Sequence, residues 1–142
     1  MKKVLLIGIM SFSFCVCSLM AQSGLTLATD VQSRYVWRGL ALGGSSPSVQ
    51  PSVTYSYKGL NVGAWGSFSL CNPQYQELDL SLSYNIKNII TFLVTDYDNP
   101  RYDKKFHYFN YDKDSTQHVF EGGVILNVPK TDISLGVYTN FY

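Results

Sequence analysis

Residues Leu25–Gly39 read LTLATDVQSRYVWRG. At period two, Leu25, Leu27, Thr29, Val31, Ser33, Tyr35 and Trp37 share one face, and Thr26, Ala28, Asp30, Gln32, Arg34, Val36 and Arg38 share the other. The first face is largely apolar and closes with two aromatics, while the second carries Asp30, Arg34 and Arg38. At about 3.3 Å per residue, the stretch predicts one strand long enough to cross a bilayer at a tilt, with some overhang. A soluble amphipathic strand alternates in the same way, so the segments around it must decide.

After a Gly/Ser-rich loop at 40–47, Val49, Pro51, Val53, Tyr55 and Tyr57 alternate with Ser48, Gln50, Ser52, Thr54 and Ser56. Pro51 has no N–H, which predicts an edge position or a bulge. Lys58-Gly59 has the form of a two-residue hairpin turn. Leu60 to Leu70 then alternates with Asn61, Gly63, Trp65, Ser67 and Ser69, and a loop follows over 71–76. Beyond it Leu78, Leu80, Leu82 and Tyr84 oppose Glu77, Asp79, Ser81, Ser83 and Asn85. Over 89–97 either Ile90/Phe92/Val94 or Ile89/Thr91/Leu93 could face outward. Two more alternating runs, 120–128 and 133–141, flank a turn at Pro129-Lys130-Thr131.

The chain therefore reads as all-β, an antiparallel up-and-down transmembrane β-barrel of about seven strands. Two patterns favour it over a soluble sandwich. The connections alternate long and short, and one face of nearly every strand is apolar while the other carries Ser, Asn, Asp, Glu and Arg. A β-sandwich would also alternate. The competing expectation is accordingly a secreted or surface binding module, soluble without detergent, that uses the aromatic loop at 98–116.

The start of the chain reads as an address. Met1-Lys2-Lys3, an apolar run from Val4 to Met20 and small or polar residues at 21–23 predict a signal peptide over 1–21 and a barrel domain over 22–142. Cys15 and Cys17 follow the bulky Phe14 and Val16, which does not suit lipid attachment, and cleavage leaves Cys71 alone, with no internal disulfide. Removing Lys2 and Lys3 lowers the basic count from 11 to 9 against 10 acids, so the net charge moves from +1 to −1. That balance gives no reason to expect a nucleic-acid partner.

Chemistry is sparse. His107 and His118 are the two histidines. His118 and Glu121, three apart on a strand, point to opposite faces, so Ser115 or Thr116 gains no paired relay from them. No metal-ligand spacing, phosphate loop or nucleophile elbow is present, and the expectation is a protein that is not an enzyme and needs neither cofactor nor metal. In a barrel Asp30, Arg34, Arg38, Glu77 and Asp79 would face the lumen. They would form either a charged constriction or an internal salt-bridge network filling a narrow bore. In the loop at 98–116, Tyr102, Phe106, His107 and Tyr108 are surface candidates. They could stack on a sugar or peptide, or extend the strands through the interface with their charges in water. The expected partners are outer-membrane lipid, a small solute and, for closure, further copies of the chain.

SRYVWRGL (33–40), PSVQPSVTYSYKGLNVGAWGS (47–67) and YQELDLSLSYN (75–85) together resemble the TorF-like porins, Gram-negative outer-membrane proteins of poorly defined function. The resemblance rests on Tyr35, Trp37, Arg38 and Gly39, then Ala64, Trp65 and Gly66, then Glu77, Leu78 and Asp79. It covers 25–98 well and the remainder loosely. The Ala21-Gln22 site is similar to that of Bacteroides-type secreted proteins. The resemblance implies an outer-membrane β-barrel and supplies no catalytic residues. Members of that family run longer, and bacterial single-chain barrels have even strand numbers. The expectation is thus that 22–142 is the N-terminal portion of a larger barrel, with a miscounted strand or oligomeric closure as alternatives.

Overall fold

A computed structural model describes residues 19–20, 24–71, 75–100 and 107–141. Its strands are β1 (Leu19–Met20), β2 (Leu25–Gln32), β3 (Tyr35–Trp37), β4 (Leu40–Leu42), β5 (Ser48–Tyr57), β6 (Leu60–Ser69), β7 (Gln76–Ile86), β8 (Ile90–Asp98), β9 (His118–Asn127) and β10 (Ser134–Asn140). The main sheet runs β1-β2-β5-β6-β7-β8-β9-β10, antiparallel throughout, and β3-β4 stand apart as a hairpin. The fold is all-β, and its seven long strands form a simple meander. β1 adds only the pairs Leu19↔Leu27 and Met20↔Thr26. Among the described residues β10 pairs with β9 alone, so the sheet is open there. Apart from Leu19 and Met20, the expected signal peptide lies outside the described residues.

The opening stretch is not one strand. Its pairing with β5 stops at Gln32↔Ser48, because the next partner of Ser33 would be Pro47, which has no N–H to give. The chain bends at Ser33-Arg34 and closes a local hairpin, Tyr35↔Leu42 to Trp37↔Leu40. The turn residues Arg38 and Gly39 both have positive φ, 46° and 83°, as a tight two-residue hairpin turn demands.

Pro51 behaves differently from expectation as well. It sits in β5 between β2 and β6, opposite Thr29, with no bulge. The ladder to β6 merely skips it: Val49↔Phe68 is followed by Ser52↔Trp65 in unchanged register.

Connections alternate along the sheet. Lys58-Gly59 (φ 47° and 89°) and Lys87-Asn88 (φ 51° and 57°) make tight hairpins at one end, while 33–47, 70–75 and 99–117 lie at the other. Cross-strand register settles the blurred run in β8. Phe92 stands opposite Tyr84 and Val94 opposite Leu82, so Ile90/Phe92/Val94 share the apolar face.

The two faces invert the usual order of burial. Among the described residues the buried set holds one apolar side chain, Tyr35, against eleven polar ones that include Ser48, Ser67, Glu77, Asp79 and Glu121. Meanwhile Leu27, Val53, Val62, Leu80, Leu82, Val94 and Val124 on the opposite face are all exposed. Ser48, Gln50, Ser67, Glu77, Asp79, Thr95 and Glu121 form a polar layer on the face crossed by the β3-β4 hairpin, while Asp96, Asp98 and His118 are buried on the other face.

Candidate functional site

The hairpin lies across the polar face and reaches β6 to β10 in turn. Tyr35, 7% exposed, meets Trp65 of β6 at 5.4 Å between ring centroids and Tyr75, just ahead of β7, at 6.1 Å. Trp37 meets Tyr97 of β8 edge-on at 6.1 Å. Arg38 reaches Glu121 of β9 with two parallel bonds of 2.7 Å. This fork-on-fork pairing is the strongest ion-pair geometry available to arginine. The guanidinium is also sandwiched between the rings of Trp37 and Tyr138, at 4.4 and 4.5 Å from their centroids.

The sequence achieves this with a strained residue. A non-glycine side chain at φ 46° costs on the order of 1 kcal/mol, and the turn it makes aims Arg38 at an otherwise buried carboxylate. The bond to Glu121 in turn raises the guanidinium pKa further above its already high value.

Around the hairpin the carboxylates are tied by tyrosines. Tyr75 donates to Glu77 Oε2 at 2.7 Å and Tyr97 donates to Glu121 Oε1 at 3.1 Å. Tyr35 also donates to Glu77. Burial, helped by Glu77, pushes the hydroxyls of Tyr35 and Tyr75 far above the ordinary tyrosine range, so both stay protonated as donors. Between hairpin and sheet lies a cavity of about 270 Å³, lined among others by Trp37, Leu40, Tyr97, Glu77, Glu121 and Asn140.

A second cluster sits on the other face, at the long-loop end. His118 Nδ1 lies 2.6 Å from Asp96 Oδ1, and its Nε2 meets the carbonyl of Tyr108. Tyr111 donates to Asp96 Oδ2 at 3.1 Å and lays its ring 4.3 Å from the imidazole. Asp98 is buried beside them, opposite His118. Both ring nitrogens of His118 thus face oxygen acceptors, and the group fastens the 107–117 segment to the sheet. Ser115 bonds to Asn110 instead, and Glu121 is on the opposite face from His118, so no Ser-His-acid relay forms here.

Of the five residues expected to face a lumen, Glu77 and Asp79 lie buried on the polar face. Asp30 is half-buried on the same face, opposite Gln50. Arg38 arrives there from the hairpin rather than from a long strand, and Arg34 is exposed in the bend, apart from the others. Of the loop candidates, His107 is exposed, Tyr108 packs on His118 at 5.0 Å, and Tyr102 and Phe106 lie outside the described residues. Sequence reasoning missed Glu121 as the partner of Arg38. The available signal was its place as the one acid on the face of β9 opposite Phe120, Val124 and Leu126.

Fold and site together define an all-β protein built on an antiparallel meander with a buried polar face and an inward-folded hairpin. Residues 19–124 match a family described as "Bacterial protein of unknown function (Gcw_chp)", and the chain belongs to that family. The match takes in the hairpin, Glu77, Asp79 and Glu121 and ends within β9. Comparison with curated proteins and with solved structures finds no match.

Proposed function

We propose that this protein is a porin-like β-barrel of the Gram-negative outer membrane. Its apolar face meets lipid, and its polar face lines a path for small solutes. The carrying observation is the inverted burial. Six inter-strand spacings of about 4.8 Å and eight residues of strand at about 3.4 Å give an apolar face on the order of 800 Å². Monomeric soluble proteins rarely expose more than roughly 300–600 Å² in one patch. Along β7 the band from Ile86 to Leu78 measures about 27 Å, or about 20 Å along the membrane normal at the usual tilt. Tyr55, Tyr57, Tyr84 and Phe92 cluster toward the tight-turn end of that face and Phe68, Phe120 and Phe141 toward the other, where interfacial aromatics belong. The connections at 58–59, 87–89 and 128–133 all lie at one end, as periplasmic turns do.

In this reading the β3-β4 hairpin is a constriction folded into the bore. The test is to refold the mature chain in detergent and compare boiled with unboiled samples on a denaturing gel, alongside fractionation of cell membranes. A heat-dependent mobility shift and recovery in the outer membrane are expected. A β-rich monomer that stays soluble without detergent would overturn the reading and favour the binding-module alternative.

A further inference from the structure

The charges on the polar face do not balance. Among the described residues it carries Asp30, Glu77, Asp79 and Glu121, and the single cation brought to it is Arg38, which Glu121 consumes. Asp30 pairs with Gln50 of β5, and Glu77 pairs with Ser67 of β6. Asp79 follows two residues on, opposite Trp65. Glu77 and Asp79 therefore lie together on β7 with no positive partner among the described residues, and Asp30 adds a third acid three strands away.

Two buried oxygens in the same area are left without a hydrogen bond. Asp79 Oδ1 has none, although the residue is only 9% exposed, and Ser67 Oγ has none at 0% exposure. Unsatisfied buried oxygens are expensive, and a carboxylate more so than a hydroxyl. The neighbours offer no relief, because Tyr35 and Tyr75 already donate to Glu77. Trp65, half-exposed, is the cross-strand partner of Asp79, so an aromatic ring able to favour a positive ligand stands beside the acid.

We propose that Glu77 and Asp79, with Ser67 and the Trp65 ring beside them, form a binding site for small monovalent cations. This rests on the porin-like reading and names its solute class. Cations enter the polar face, lose part of their hydration to the free oxygens of Asp79 and Ser67, and are concentrated relative to anions.

The chain has two tryptophans, so a Trp37→Phe variant leaves Trp65 as the sole reporter. Its quenching by caesium, iodide and neutral acrylamide is measured in the detergent-folded protein at matched ionic strength. The caesium-to-iodide ratio, referred to free tryptophan amide, should be raised about threefold or more. Glu77→Gln with Asp79→Asn should return it to within about 1.5-fold of the reference. A ratio at or below the reference, or one that the double substitution leaves unchanged, overturns the proposal. Should the double variant fail to fold, Asp79→Asn alone is read in its place, and a ratio that does not fall there counts against the proposal. Conductance in planar bilayers is recorded in parallel. A cation preference without conductance supports the site while overturning the pore.

Discussion

Replacing Arg38 by alanine should loosen the β3-β4 hairpin from the sheet. The guanidinium gives Glu121 two bonds of 2.7 Å, and its side chain is 43% exposed while that of Glu121 is 3% exposed. A hydrogen bond to a charged group contributes about 1.5–3 kcal/mol, and the exposure of the guanidinium places this pair toward the lower end, because solvent screens it. Removing the arginine also strands a buried carboxylate with only the Tyr97 hydroxyl as donor. A loss near 2 kcal/mol is expected, about a thirtyfold shift in the docked-to-undocked equilibrium. Alanine keeps the φ strain of the turn, so no compensating relief enters; glycine at the same position would recover about 1 kcal/mol and should show a smaller net effect. Lysine keeps the charge but not the fork and should fall between. The assay is hydrogen exchange of the 35–42 amides, with Trp37 emission as a second readout. Exchange that stays within about twofold of the parent in Arg38→Ala would refute the claim that this ion pair holds the hairpin, since 2 kcal/mol demands far more.

Leu82→Arg on the apolar face should cost about 2–4 kcal/mol in lipid vesicles if that face meets hydrocarbon, and within about 0.5 kcal/mol if it meets water; urea unfolding in vesicles separates the two. Alkaline pH should weaken the hairpin. The folded state holds protons on Tyr35 and Tyr75 that an unfolded chain releases near pH 10, so stability is full below about pH 10 and falls as pH climbs toward the higher folded values. Unfolding midpoints taken between about pH 9 and 11 should drop less in Tyr35→Phe/Tyr75→Phe, and an equal drop would count against the bonds to Glu77. His118→Phe should free the 107–117 segment without touching the hairpin, which limited proteolysis would register as new cleavage near Tyr108–Tyr111 while the 35–42 amides stay protected.

Much of this was legible in the sequence because strand alternation is a strict code: a residue two places on returns to the same face. Glu77 and Asp79 could be placed beside Ser81 and Ser83 from spacing alone, and the tight turns at Lys58-Gly59 and 87–88 announced themselves by length. Arg38 and Glu121 could not be paired that way, being 83 residues apart. Their meeting depends on the break after Gln32, which comes from Pro47, just ahead of the neighbouring strand β5, rather than from anything within the opening stretch. Asp96, Asp98 and His118 were hidden for the opposite reason. They interrupt an apolar face in phase with it, and only the covering segment at 107–117 makes them a cluster.

The three connections at the end of the sheet that carries Lys58-Gly59 each hold a lysine with a left-handed backbone, Lys58, Lys87 and Lys130, at φ 47°, 51° and 63°. With the apolar face in lipid, this rim and the opposite one differ greatly in what it costs to drag them through hydrocarbon. Each charged side chain costs about 2.5–3.5 kcal/mol at mid-bilayer, so the three lysines and Asp132 of this rim amount to roughly 12 kcal/mol. The segment from Asp98 to Thr116 alone holds Asp98, Arg101, Asp103, Lys104, Lys105, Asp112, Lys113 and Asp114, roughly 24 kcal/mol on the same scale. If the proposed membrane reading holds, a difference of that size would make insertion one-directional. On that reading the turns would thread the bilayer first and the long loops would stay behind, so the topology would follow from the energetics of entry rather than from a separate signal.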